Sequence, residues 1–188
     1  MTAAERGREV RQRLLAAAVE LIPERGWTAV STRVLAERAG VTPSVVHYHF
    51  PSLAALLREA VVGLMRQMLA GFDAVLAGAT TPADAVDVLL GSVDQYSGAD
   101  PLSLLFVEAY LAATRDELLR EQLHGMVEDF RQRVGRRFAE HGIPDAAETA
   151  AVFLASIDGL LLHRGLGARS DTRAVIRVVR RIVDGEGS

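Results

Sequence analysis

Ser31-Thr32-Arg33-Val34-Leu35-Ala36-Glu37-Arg38-Ala39-Gly40-Val41-Thr42-Pro43-Ser44-Val45-Val46-His47-Tyr48-His49-Phe50-Pro51-Ser52-Leu53 reads as two short helices around a tight turn. The Ser31 hydroxyl can cap the first helix, and Leu35, Ala36 and Ala39 give it a small apolar face. Gly40 supplies a position where φ > 0 costs little, and Val41 plugs the turn. Thr42 is expected to cap the second helix. Pro43 suits its first position, and Val46 and Phe50, four apart, form its buried edge. Pro43, Ser44, Val45, His47, Tyr48 and His49 are left to face something else, and a helix of this size fits the major groove of DNA. The plain alternative is an αα-corner inside a helical bundle, which uses the same glycine and caps.

The stretch resembles the DNA-reading motif of the TetR family of bacterial regulators. Ser31, Leu35-Ala36, Ala39-Gly40-Val41-Thr42, Val46, His49-Phe50 and Ser52 match or mildly substitute the family pattern. Three positions depart from it: Ser44 stands for a glycine, His47 for a tyrosine, and Leu53 for a lysine that commonly touches phosphate in this family. Together with the preceding helix and Gly26-Trp27, the resemblance covers about residues 8–57. It implies an all-α protein with an N-terminal three-helix helix-turn-helix DNA-binding domain, residues 1–52. A C-terminal helical ligand-binding and dimerisation domain, residues 53–188, would follow, giving about nine helices.

Charge is distributed in keeping with that division. Residues 1–58 hold eight arginines against five acids, a balance of +3, while the remainder carries −6. A basic head on an acidic body suits a protein that presents one end to phosphate. Ser31, Thr32 and Arg33 open the first motif helix, whose N-terminal amides attract phosphate, and His47, Tyr48 and Ser52 flank the reading helix. With Leu53 uncharged, Arg33 and either Arg8 or Arg11 are expected to carry more of the electrostatic load. The candidate DNA-binding set is therefore Ser31, Thr32, Arg33, Thr42, Pro43, Ser44, Val45, His47, Tyr48, His49 and Ser52.

No cysteine is present, which excludes a disulfide framework, a thiolate metal site and a cysteine nucleophile. Charged residues interrupt every long apolar run, and Glu5, Arg6, Arg8 and Glu9 occupy the place where a signal peptide needs an apolar core. A cytoplasmic protein without membrane spans is expected. His47 and His49 form His-x-His, but on a helix residues two apart diverge by roughly 200° and cannot share an ion, so no metal is expected. Ser156, Asp158 and His163 are the types of a hydrolytic triad, yet they lie along one helix without a Gly-x-Ser-x-Gly elbow. Phosphate-loop patterns are also missing, so no catalytic residue or cofactor is expected.

After the motif the sequence reads as helices throughout. Leu56, Leu57, Ala60, Val61, Leu64, Met65, Met68, Leu69, Phe72, Val75 and Leu76 recur at three and four, predicting a helix over 53–77. Thr81-Pro82 with Asp84, Asp100-Pro101, Thr114 with Glu117, and Asp145 with Glu148 each read as a cap. They predict helices over 82–97, 101–113, 115–141 and 145–164, with a last one over 171–183.

Met65, Met68, Phe72, Tyr96, Phe106, Tyr110, His124, Phe130 and Phe153 fall on apolar stripes of this body and are candidate walls of an adaptable pocket. For any one of them, filling the core is the plainer reading. No arginine interrupts the stripes, which favours an apolar or aromatic small molecule over a multiply charged one. Glu108 and Asp158 sit in apolar surroundings and need a partner if buried, whether a ligand, a core hydrogen bond, solvent or a second copy. The last two helices are apolar on more than one face. Leu154, Ile157, Leu161, Val175, Val178, Val179 and Ile182 are the candidate homodimer interface, the four-helix bundle that the family resemblance implies. The expected function is a ligand-responsive transcriptional regulator, a repressor released from double-stranded operator DNA by a small apolar or aromatic molecule. The competing reading is a helical small-molecule carrier with no DNA role.

Overall fold

The computed structural model describes residues 2–169 and 171–183, among which there are nine α-helices and two short 3-10 turns and no strand. The helices are α1 (Ala3–Arg25), α2 (Thr32–Ala39), α3 (Pro43–His49), α4 (Leu53–Gly78), α5 (Pro82–Ser92), α6 (Pro101–Ala113), α7 (Glu117–Glu140), α8 (Ala146–Gly165) and α9 (Thr172–Val183). They form two compact units that do not follow a single cut in the chain. Among the described residues, unit 1 contains 2–65 and 104–123, and unit 2 contains 66–103, 124–169 and 171–183.

Local chemistry sets most helix ends. Thr2 and Glu5 form a reciprocal capping box on α1, and Thr81 and Asp84 form another on α5. Asp100 Oδ1 accepts the Ser103 N–H at 3.0 Å at the start of α6. Three expected caps differ. Thr42 makes no cap bond, because its hydroxyl is paired with that of Ser44 at 2.8 Å. Asp116 rather than Thr114 caps α7, accepting the Leu119 N–H at 3.1 Å, while the Thr114 hydroxyl turns back to the Leu111 carbonyl. Asp145 takes the left-handed conformation at φ 45° and leaves α8 without a side-chain cap. The helix expected over 82–97 stops at Ser92 and continues as a 3-10 turn, Val93–Gln95.

Unit 1 is built on one apolar cluster. Leu14, Leu21 and Ile22 of α1, Leu35 and Ala36 of α2, Val46 of α3, Phe50, and Leu56, Leu57 and Val61 of α4 are buried together. Leu105 and Ala109 of α6 complete it, each 1% exposed. Truncating one such leucine to alanine costs about 2–5 kcal/mol.

Unit 2 buries Val86, Leu89 and Leu90 of α5, Val134 and Phe138 of α7, Ala150 and Phe153 of α8, and Val179 and Val183 of α9. Arg164 of α8 ties its loops together. The guanidinium donates to the carbonyls of Val93 at 2.7 Å and Tyr96 at 3.3 Å, to Asp94 Oδ1 at 2.8 Å and to the Thr172 hydroxyl at 2.7 Å. Beside it the Gly98 backbone meets Gly165 so closely that a Cβ on Gly98 would lie 2.2 Å from the Leu161 carbonyl oxygen. Arg180 of α9 pairs with Asp87 of α5, closing the packing of those helices.

Candidate nucleic-acid interface

α2 and α3 are held by the turn that joins them. Gly40 adopts φ 66°, ψ 39°, the left-handed conformation that closes α2, and the Val41 N–H returns to the Ala36 carbonyl at 2.9 Å. The Ser31 hydroxyl accepts the Val34 N–H at 3.3 Å at the start of α2. Burial then sorts the second helix into two faces. Val46 and Phe50 are sealed in the core, whereas Thr42, Pro43, Ser44, His47 and Tyr48 are exposed and Val45 and His49 are half-buried. Tyr48 is 85% exposed, with its ring edge-on to His49 at 5.1 Å between centroids. An aromatic ring held in water by a neighbouring side chain, rather than buried, is available to a partner.

The surrounding polar groups divide into free and occupied. Ser31, Arg33 and Ser52 are exposed and Thr32 is half-buried. The Ser52 hydroxyl accepts the Ala55 N–H at 3.1 Å, capping α4. Arg33 has no ion-pair partner among the described residues, and Arg8 is exposed. Arg11 is different. It forms a bidentate pair with Glu59 and lies 4.5 Å over the Phe50 ring, so it holds α1, α3 and α4 together instead of waiting for phosphate. Arg38 is likewise held by Glu20 and Glu24, which raises its pKa above the ordinary arginine value.

The expected pocket residues separate more than the sequence suggests. In unit 1, Met65 and Phe106 are half-buried, but Tyr110 is 71% exposed. In unit 2, Met68, Phe72 and Tyr96 are half-buried, Phe130 and Phe153 are buried, and His124 is exposed. Tyr110 and His124 therefore do not point inward: α6 buries its Leu105–Ala109 edge, and the α7 turn around His124 presents its polar side to water. Phe72 and Phe130 meet at 6.2 Å, and Phe153 packs on Phe138 at 6.1 Å as ordinary core. The expected freedom from arginine also fails, since Arg133 lies 5.6 Å over the Phe130 ring while paired with Asp73 at 2.9 Å. A surface recess on unit 1, lined by Leu21, Arg25, Val34, Glu37 and Arg38, contains none of the nine expected residues.

Among the candidate assembly residues, Leu154, Ile157, Leu161 and Val175 are half-buried and Val178 and Ile182 are exposed. Val179 is buried at 5% because its side of α9 packs on α5, and it belongs to the core. The α8 helix is apolar and long enough to cross a membrane by composition alone, as is α4, yet only 11% of its apolar window is buried. Asp158 is exposed on this helix, while desolvation of its carboxyl raises its pKa above the usual carboxylate range. Among the described residues no group of acids and histidines could hold a metal ion.

The partner that the sequence left open for Glu108 is a hydrogen bond within unit 1, and a second contact there had no signal in the sequence. Glu108 Oε2 accepts the Trp27 N–H at 2.7 Å, and Arg58 donates to Asp116 at 2.8 Å. Both bonds join α6 or its corner to the head, and the apolar run around Glu108 was the only hint.

Comparison with known proteins agrees with this geometry. Residues 14–60 match the family model described as bacterial regulatory proteins, tetR family, and residues 80–185 match one described as tetracyclin repressor-like, C-terminal domain. The chain is 30% identical over 161 residues to the HTH-type transcriptional regulator BetI of Rhizobium meliloti, covering 83% of this chain and 78% of that protein. A crystal structure of a transcriptional regulator from Streptomyces coelicolor superposes with a TM-score of 0.76 at 31% identity, covering 93% of this chain and 98% of the other. A regulator from Saccharomonospora viridis, solved in complex with choline, shares the fold with a TM-score of 0.78 at 21% identity, covering 94% and 96%.

Proposed function

Because the chain belongs to the TetR family of ligand-responsive bacterial transcriptional regulators, we propose that it is a homodimeric cytoplasmic repressor, released from operator DNA by a mainly apolar or aromatic small molecule. The observation that carries the DNA role is the two-faced α3. Its core edge is sealed by Val46 and Phe50, and its opposite face leaves Pro43, Ser44, His47 and Tyr48 in water. A seven-residue helix with nothing to pack on that face is cheap to present to a groove. Two such heads in a dimer must meet successive major grooves about 34–36 Å apart, so a modest tilt costs much affinity. Family membership decides against the carrier reading.

Support for the effector class is the half-buried series Met68, Phe72 and Tyr96 within unit 2. Met and aromatic side chains adapt to apolar ligands. The choline held by the Saccharomonospora viridis protein shows that this fold accommodates a small organic molecule, without naming one for this chain. Support for the dimer is the unburied apolar surface of α8 and the exposed Val178 and Ile182 of α9. The test is direct. Purified protein is offered DNA from upstream of its own gene, footprinted, and screened for compounds that release it. A protected inverted repeat released by an apolar compound supports the reading; no protection of any duplex, or release only by highly charged metabolites, opposes it.

A further inference from the structure

α6 begins about fifty residues beyond the helix-turn-helix in sequence, yet its Leu105 and Ala109 are as deeply buried in the unit 1 core as Leu35 of α2. Between those two apolar anchors sits Glu108, a carboxylate among apolar neighbours. Its Oε2 accepts the Trp27 N–H at 2.7 Å, and its carboxylate lies 3.7 Å from where a Cβ on Gly26 would stand. Gly26 has φ 86° and ends α1, with its own N–H returned to the Ile22 carbonyl at 2.9 Å. The Trp27 N–H is the next donor in line. It has left the helix ladder, and in this half-buried place it would go unpaired without Glu108.

The turn that Glu108 holds is short and leads straight into the reading motif. Trp27–Ala29 is a single 3-10 turn, Val30 is buried at 4%, and Ser31 caps α2. A rotation at Trp27 is therefore transmitted to α2 with little slack. A second tie on the same side, Arg58 to Asp116 at 2.8 Å with both side chains about one-fifth exposed, joins the start of α4 to the α6–α7 corner.

We propose that Glu108 is a positioning residue for DNA binding: by fixing the Trp27 amide it sets the angle at which α2 and α3 are presented, so that α6 controls the reading helix. The proposal rests on the DNA-binding role above and deepens it. Glu108 touches no DNA.

Trp27 is the chain's single tryptophan, so its fluorescence reports on this contact without labelling. The test compares Glu108→Gln, Glu108→Asp and Glu108→Ala with the parent full-length protein. The DNA is a duplex selected by the parent from a random pool, and all titrations run at a temperature where far-UV circular dichroism shows each variant folded. Glutamine keeps an acceptor oxygen at the same reach but loses the charge, whereas aspartate keeps the charge and falls short by one methylene. Glu108→Asp and Glu108→Ala are expected to weaken binding about tenfold, the scale of one hydrogen bond to a charged acceptor, and to shift the Trp27 emission. Their slope of log affinity against log salt stays at the parent value, since no phosphate contact is lost. Glu108→Gln is expected to stay within about threefold of the parent, a neutral acceptor being only modestly weaker than a charged one.

Parent-like binding by folded Glu108→Asp and Glu108→Ala overturns the proposal, as does a Glu108→Gln that falls with Glu108→Ala, which would make the charge rather than the bond the cause. Should Glu108→Ala fail to fold, the glutamine and aspartate pair decides alone. Failure of the parent to select any duplex instead overturns the DNA-binding reading itself.

Discussion

Thr42 Oγ1 and Ser44 Oγ are hydrogen-bonded to each other at 2.8 Å across the first turn of α3, so the residue in the capping position spends its hydroxyl on its neighbour. The pair stands exposed at the N-terminal end of α3, the helix proposed to enter the groove and meet base edges. Ser44→Ala is expected to weaken binding to the selected operator by about 1–3 kcal/mol, the scale of one base contact, and to leave binding to unrelated DNA unchanged. Val45→Asp, one residue on, should do the same through loss of an apolar contact to a thymine methyl. Fluorescence anisotropy against both duplexes checks this. Equal losses on the two would show that Ser44 acts on the backbone or the fold.

Arg33 and Arg11 look alike in sequence and differ in structure. Arg33 is exposed on α2, while Arg11 is clamped by Glu59 over Phe50. Arg33→Ala is expected to flatten the salt dependence of operator affinity by roughly 0.9 in the log–log slope for every sequence tested, as one phosphate contact should. Arg11→Ala is expected to leave that slope alone and lower the thermal midpoint. A salt slope that responds to Arg11 and ignores Arg33 would reverse the assignment.

These two arginines show what a sequence carries and where it stops. Caps and glycines were legible because their partners lie within a few residues: Ser31 to Val34, Thr81 to Asp84, Gly40 at the close of α2. Thr42 and Thr114 misled because a hydroxyl has several local acceptors of similar energy, and periodicity does not choose among them. Long-range partners were illegible. Nothing in the spacing of Arg11 points to Glu59, or of Glu108 to Trp27, since each pair is joined only by the packing of helices. Tyr110 and His124 fell on apolar stripes by period, but a stripe wider than one contact face always leaves some members outside, and α6, apolar nearly all round, offers no polar side to fix its rotation.

The acid limb of stability has a specific contributor. Hydrogen bonds from the Thr80 hydroxyl and from the Thr80 and Thr81 backbone amides hold the Asp84 carboxylate well below the usual aspartate value, to about 2. A depressed folded-state pKa adds stability that is present above the unfolded value of about 4 and is lost as pH falls through about 2. Asp84→Asn is therefore expected to lower the thermal midpoint at neutral pH, and the gap between variant and parent should close between about pH 4 and pH 2. Midpoints measured across that window check it; a gap independent of pH would assign the effect to shape rather than charge.

Arg164 donates to four groups of unit 2, and only 14% of it is exposed. Arg164→Ala strips donors from the Val93 and Tyr96 carbonyls and from Asp94 and Thr172 together. Since Asp94 is largely in water and keeps its hydrogen bond from Thr172, the expected loss is about 2–3 kcal/mol rather than that of a fully buried pair. Urea unfolding reads it as a lower midpoint with an unchanged slope. Operator affinity of the folded variant should hold, because Arg164 belongs to unit 2 and the reading helix to unit 1.

The proposed dimer is tested on side chains that cost little to the single chain. Leu162 of α8 is 51% exposed and Ile182 of α9 is also 51% exposed, so a glutamate at either position disturbs little that is already packed. In a two-fold assembly each substitution appears twice, and the charge is buried where an apolar contact was, which opposes association by several kcal/mol. Leu162→Glu with Ile182→Glu is expected to sediment as a monomer with the parent's helical circular dichroism. Affinity for an inverted repeat should fall by orders of magnitude, because two linked heads bind with the second at high effective concentration. Affinity for a single half-site should barely change. A double variant that remains a dimer would move the interface off this face of α8 and α9, and one that loses half-site binding as well would show that the helices serve the fold of the head rather than its pairing.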